Sequence, residues 1–422
     1  MSRITKYALS DLYEMSSGIS STKEQAGHGA PFVSFSTVFN NYFLPDELPD
    51  LMDTNEKEQE IYSIKAGDVL ITRTSETIDE LAMSCVAVKD YPKATYSGFT
   101  KRLRPKKEGI AYPKYMAFYF RSELFRKAVT NNAFMTLRAS FNEDIFTFLD
   151  VYLPIYEEQV RIGDMLYAVE CKIQKNKEIN DYLEQQLQLL YDYWFTQYNF
   201  PNEDGQPYKA SNGLMVWNKM INHLIPADWK VKPLGTICSF RNGINYDKNV
   251  DGNTIYKIIN VRNISSSTLF LNESTFDEIC LPKQQGDKYC VSDESIIIAR
   301  SGIPGATRIL CNPSSNIIFC GFIICCTPSD NTLQNYLTLY LRQFEGSSAT
   351  QTGGSILKNV SQETLKNLIV PIPPQSLLNQ FNDSILPIYN LINSNTKENV
   401  QLITLRDWLL PMLMNGQTTI ED

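Results

Sequence analysis

Two stretches of the chain place seam residues at alternating spacings of four and three. Ile162, Leu166, Val169, Ile173, Asn176, Asn180, Leu183, Leu187, Leu190 and Trp194 form the first. Phe381, Ile385, Ile388, Ile392, Asn395, Asn399, Leu402, Arg406, Leu409 and Leu413 form the second. A period of 3.5 held this long predicts two long helices with a coiled-coil seam. Pro154 and Pro373-Pro374 limit them at their N-termini. At ~1.5 Å per residue, Ile162 to Trp194 spans about 50 Å. Elsewhere the pattern shortens to alternating or apolar runs bounded by Gly, Pro and Asn. Strands are expected at Phe32–Val38, Asp68–Thr72, Ala82–Val88, Thr254–Val261, Ser295–Ala299 and Ile317–Cys326, and shorter helices at Tyr112–Ala128 and Leu333–Phe344. The fold class is α/β (α+β).

The pattern is a duplication. Shifted by 219, Val151 meets Val370, Leu153-Pro154 meets Ile372-Pro373, and Ile173, Asn176, Asn180, Leu183 and Leu190 meet Ile392, Asn395, Asn399, Leu402 and Leu409. With small offset changes, Tyr119 and Arg121 meet Tyr340 and Arg342. Gly98-Phe99 meets Gly321-Phe322, and Leu9 and Gly18 meet Leu234 and Gly243. The organisation is a globular domain over 1–153, a helix over 154–200, a linker over 201–228, a second globular domain over 229–372 and a helix over 373–422. Antiparallel pairing about the seam midpoints sets Asn176 against Asn399 and Asn180 against Asn395, giving a pseudo-two-fold arrangement. Buried Asn costs stability and fixes register. The alternative is two surface helices, each packed on its own domain. Glu157, Glu158, Asp164, Glu170, Glu178 and Glu184 read as the outer face of the first helix, either solvated or docking a partner.

The net charge of −8 is uneven. The helical segments hold most of the excess acid, and 229–372 has 13 Lys and Arg against 11 Asp and Glu, so DNA binding is not excluded. Nine Cys without a C-x-x-C pair offer no zinc site and fit reduced thiols in a cytoplasmic protein. Residues 1–20 lack the apolar core of a signal peptide, and the longest apolar run, Ile317–Cys326, is too short for a membrane span. With only His28 and His223, histidine chemistry has little material, and no metal site is expected.

Neither a phosphate-binding G-x-x-x-x-G-K-[ST] nor a G-x-G-x-x-G occurs. Asn312-Pro313-Ser314-Ser315 fails as an amino-methyltransferase tetrapeptide at its third position. Glu170-Cys171-Lys172 and Asp228-Trp229-Lys230 resemble half of a nuclease motif but lack upstream acids at useful spacing. No catalytic residues are expected, and a lone nuclease is disfavoured. Binding remains. Residues 93–107 hold six basic residues interleaved with Tyr96 and Phe99, so Lys101, Arg102 and Arg104 are candidate phosphate contacts. A solvated edge strand guarded by Lys and Arg is the alternative. Arg73-Thr74-Ser75 and Arg300-Ser301 each follow a strand, placing Arg and a hydroxyl where bases or phosphates could be met; a satisfied turn is the alternative. Arg138, in Thr136-Leu137-Arg138, and Lys358, in Gly353–Lys358, form a third matched pair.

These features resemble the specificity subunit of type I DNA restriction–modification systems. The resemblance spans the chain. It rests on Pro-Ile-Tyr-Glu-Glu-Gln at 154–159, Leu183-Glu184-Gln185-Gln186, Tyr193-Trp194-Phe195, Pro226-Ala227-Asp228-Trp229-Lys230 with Leu234-Gly235, and Ile372-Pro373-Pro374-Gln375. The second helix departs with Ser376-Leu377-Leu378-Asn379-Gln380 where a Glu-Gln pair is usual. The resemblance implies two target recognition domains, each reading half of a split site in double-stranded DNA, and helices that act as spacer and as docking surface for two methyltransferase subunits. It implies that the chain itself is not an enzyme and carries no cofactor. S-adenosylmethionine, ATP and Mg would belong to partner methyltransferase and restriction motor-nuclease subunits. A two-headed DNA- or protein-binding scaffold unrelated to restriction is the alternative.

Overall fold

The computed structural model describes residues 4–20, 22–75, 80–132, 139–246, 252–345, 360–418 and 420. The chain divides into two compact units, Met1–Lys175 with Gln401–Asp422, and Asn176–Val400. Each long helix therefore contributes one half to each unit.

In the first unit, a four-stranded antiparallel sheet has the order Tyr13–Ser17, Thr100–Pro105, Val69–Thr72, Ser84–Val86. A three-stranded sheet orders Asp50–Met52, Ala26–Val33 and Thr95–Tyr96, the last two parallel. Thr5–Ala8 pairs antiparallel with Asp150–Leu153, which feeds the central helix. The second unit repeats this topology. Its four strands are Cys238–Asn242, Ile323–Pro328, Ile296–Ala299 and Thr307–Ile309. Its three are Asp277–Leu281, Thr254–Ile259 and Ile317–Phe319, the last two again parallel. Lys230–Pro233 pairs with Ile369–Ile372 before the C-terminal helix.

Three expected elements break where local chemistry overrides the apolar pattern. The strand expected at Phe32–Val38 ends at Val33, because Ser34 caps a short helix, Phe35–Asn40, by accepting from the Thr37 N–H at 3.3 Å. The helix expected at Tyr112–Ala128 is two, Pro113–Tyr119 and Glu123–Asn132. Between them the Ser122 hydroxyl donates to Tyr119 O at 2.6 Å. The run Ile317–Cys326 is two strands joined by a turn at Gly321-Phe322.

The long helices span Tyr156–Tyr191 and Gln375–Met414. Within the first unit their halves meet in one core, where Ile162 and Leu166 join Leu410, Leu413 and Met414 beneath Leu9, Tyr13, Tyr115 and Phe118. Within the second unit, Leu187, Tyr191, Trp194 and Phe195 join Phe381, Ile385 and Ile392 beneath Trp229, Tyr336 and Leu337. The motif residues of the resemblance thus serve packing. Phe195 lies 4.7 Å from Phe381 and 6.0 Å from Trp229 between ring centroids.

In the second unit the halves run antiparallel. Asn176 Nδ2 donates to Asn399 Oδ1 at 2.9 Å and to Glu398 Oε2 at 2.7 Å, and Asn395 Nδ2 donates to Asn180 Oδ1 at 2.9 Å. In the first unit a buried ion pair holds the same sense of pairing, with Arg406 Nη1 2.8 Å from Glu170 Oε2 and its guanidinium 4.9 Å from the Tyr42 ring. Shifted by 219, Glu170 and Arg406 correspond to Tyr389 and Leu187, which are apolar at this layer; the Tyr389 ring packs edge-on to Phe270 at 4.9 Å.

The acidic outer face expected on the central helix is corrected at three of its six positions. Glu158, Glu170 and Glu184 are buried. Glu184 accepts from Leu269 N–H at 3.0 Å, from the Thr268 hydroxyl and from Arg342. The neighbouring Gln159 staples the helix to its domain. Its Oε1 accepts from Tyr112 N–H, and its Nε2 donates to Ile110 O and Pro154 O, each at 2.9 Å. Leu377 and Leu378 are buried at the positions matching Glu158 and Gln159, so the second copy makes this joint by apolar packing.

Candidate nucleic-acid interface

Each unit ends its parallel strand in a four-residue turn. In the first, Thr100 N–H donates to Ser97 O at 2.9 Å; in the second, Ile323 N–H donates to Cys320 O at 3.0 Å. The turn is clamped from both sides. Gly98 N–H donates to Ile19 O at 2.7 Å, and Gly321 N–H to Ile244 O at 2.8 Å. Arg73 N–H donates to Phe99 O at 2.8 Å, and Arg300 N–H to Phe322 O at 2.9 Å. Gly is required at the first turn, where a Cβ on Gly98 would lie 2.9 Å from the backbone Ile19 O. A Cβ on Gly321 would meet the Asn245 side-chain end, 1.9 Å from Oδ1, which that side chain can move to relieve.

This geometry sorts the candidate contacts. Arg73 and Arg300 are exposed at the strand ends, and Arg300 Nη1 lies 3.2 Å from Gly321 O. In the second unit Arg300, Ser301, Asn245, Phe322 and Ser361 line an open cleft of about 630 Å³. Thr74 and Ser75 form a short strand paired with Ala139–Ser140. Lys101 Nζ donates to Ser17 Oγ at 2.8 Å. Partial burial, then repulsion from Arg73, holds the Lys101 ammonium below the usual lysine range.

Arg102 and Arg104 both have partners within the fold, Arg102 buried and Arg104 half-buried. Arg102 Nη1 donates to Ser63 O at 2.5 Å. Arg104 grips the buried Asp68 carboxylate with Nε at 2.8 Å and Nη2 at 2.6 Å. Lys101 is half-buried against a hydroxyl, and Lys93, Lys106 and Lys107 of the same run are exposed. Glu170 of the nuclease-like half-motif is likewise held by Arg406. Arg138 and Lys358 lie outside the described residues. Among the described residues no cluster of His, Cys, Asp and Glu could hold a metal ion, and no helix is long and apolar enough to cross a membrane.

The sequence marks Phe99 as an aromatic within the basic run and does not mark Phe322; the two are 64% and 63% exposed at the tips of the matched turns. The signal was present as the matched Gly98-Phe99 and Gly321-Phe322. In the second copy the ring is hidden inside one continuous apolar run.

Comparison with known proteins gives a consistent result. A family model described as the type I restriction modification DNA specificity domain matches residues 1–185 and again 226–402. The type I restriction enzyme MjaIX specificity subunit of Methanocaldococcus jannaschii is 23% identical over 409 residues, 95% of this chain and 89% of that protein. The HindI specificity subunit of Haemophilus influenzae is 22% identical over 444 aligned positions, covering 92% of this chain and 94% of that one. Among solved structures, the type I restriction–modification S subunit from M. genitalium shares the fold with a TM-score of 0.54 at 13% identity, over 98% of this chain and 96% of that one.

Proposed function

Because the chain belongs to the type I restriction–modification DNA specificity family, we propose that each of its globular domains reads one half of a bipartite site in double-stranded DNA. The observation that carries this reading is the repeated strand-end turn, with an exposed Arg and an exposed Phe at the same place in both units. Arg73, Lys101, Arg300 and Ser301 are the side chains offered to phosphates and base edges. A bidentate Arg contact to a guanine is worth ~1–3 kcal/mol of discrimination.

The paired helices set the unread gap between half-sites and dock two methyltransferase subunits. In support, Leu189 and Trp408, at matched positions of the two helices, are both exposed apolar side chains, with Tyr182 and Leu405 nearby. The chain does no chemistry of its own. S-adenosylmethionine resides on the methyltransferase partners, ATP and Mg on motor-nuclease partners, and the complex works in the cytoplasm.

The test is a domain exchange. Residues 1–153 are replaced by the corresponding segment of a relative, and adenine methylation is mapped across the host genome. One half of the methylated sequence should change and the other should stay. Two changed halves, or no site-specific methylation dependent on this chain, would overturn the reading.

A further inference from the structure

The rings of Phe99 and Phe322 are the groups at the two turn tips that the fold leaves in solvent, while the backbone beneath each is fixed by three hydrogen bonds. An aromatic ring on a rigid turn loses little conformational freedom when it binds. Its surroundings are cationic: Arg73 pairs its backbone with Phe99 O and Lys101 follows two residues on, and Arg300 pairs with Phe322 O and sets its Nη1 3.2 Å from Gly321 O. A ring flanked by Arg, on a stiff turn, repeated once per unit, suits a polyanion whose bases offer flat faces. Resting on the half-site reading above, we infer that Phe99 and Phe322 are wedges, each entering one base-pair step of its own half-site while the adjacent Arg holds the flanking phosphate or base edge.

The chemistry follows from DNA itself. An apolar side chain driven into a step partly unstacks it and kinks the duplex. Pyrimidine–purine steps yield most readily, so each half-site should carry a TA or CA/TG step where its Phe enters. Such a contact selects deformability as well as base identity, and it adds sequence preference at a position no hydrogen bond reads.

The experiment uses the chain with its methyltransferase partners and a duplex carrying the bipartite site mapped by methylation, with 2-aminopurine replacing one adenine at a time. The wild-type complex should brighten the probe at one step in each half-site. Phe99→Ala should abolish the signal in one half only and weaken binding about tenfold to hundredfold, as loss of one stacked base does; Phe322→Ala should do the same in the other half. Phe99→Trp and Phe322→Trp should keep the signal. Melting temperatures should match the wild type, because the rings are exposed. Wild-type affinity in both alanine variants overturns the wedge, as does lost affinity with the signal retained. Lost methyltransferase binding with DNA affinity intact also overturns it and makes the rings a protein contact. If the wild type itself fails to prefer the mapped duplex over a scrambled one, the half-site reading falls and the wedge falls with it.

Discussion

Asn176 is almost wholly buried between two helices and gives its amide to Asn399 and Glu398. Replacing it alone by Leu removes the donor that two acceptors use, so Asn176→Leu should cost ~1–3 kcal/mol in thermal or denaturant unfolding. Replacing Asn176, Asn180, Asn395 and Asn399 together by Leu should raise the melting temperature and loosen the register, seen as weaker discrimination between spacer lengths. Two arginines make the complementary point about charge. Arg104 compensates a fully buried Asp68, so Arg104→Ala should lower stability by roughly 3 kcal/mol. Arg300→Ala should leave melting unchanged and weaken DNA binding, by ~1–3 kcal/mol if Arg300 meets a base edge. Composition could not separate these roles. Arg102, Arg104 and Lys101 sit within four residues, and only the position of Asp68 and Ser63 across the sheet decides which cations turn inward.

At the scale of elements, the long helices were the most legible part of the sequence, because a 3.5-residue period sustained over more than four heptads has few other physical explanations. Short strands were legible where the run was closed by Gly, Pro or Asn. They were misread where a side chain cuts the pattern. Ser34 starts a helix inside an apolar run, and Gly321-Phe322 turns the chain without breaking its hydrophobicity. That turn is the candidate site in the second copy, so the least legible element is the one with the most functional interest. The helices also carry a length prediction. One heptad added to both at matched seam positions lengthens the pair by ~10 Å. This corresponds to about three base pairs of rise and rotates the target groove by roughly 100°. In a gel-shift series with varied gaps, the inserted protein should leave its original site and either prefer a longer gap or bind none.

For the whole molecule, the net charge of −8 says little about partners, since part of the helical acid is internal. Glu158, Glu170 and Glu184 face protein, and one carboxylate–guanidinium pair, Glu170 with Arg406, has no charged counterpart in the other copy, where Tyr389 and Leu187 stand. That asymmetry bears on misassembly. Either helix could meet the same helix of a second chain, because Asn-x-x-x-Asn read antiparallel matches itself. Central helix on central helix would set Glu170 against Gln186, and C-terminal helix on C-terminal helix would set Arg406 against Ile388. The first leaves the buried Glu170 carboxylate without its guanidinium, a loss of roughly 3–5 kcal/mol, while in the second Arg406 keeps Asp407 of its own helix 2.9 Å away. Pairing of two central helices is therefore disfavoured against pairing within one chain. Glu170→Tyr with Arg406→Leu, which copies the other unit's own solution, should fold with equal or higher stability. It should also form concentration-dependent dimers by light scattering, because the penalty that keeps the central helix on its own chain is gone.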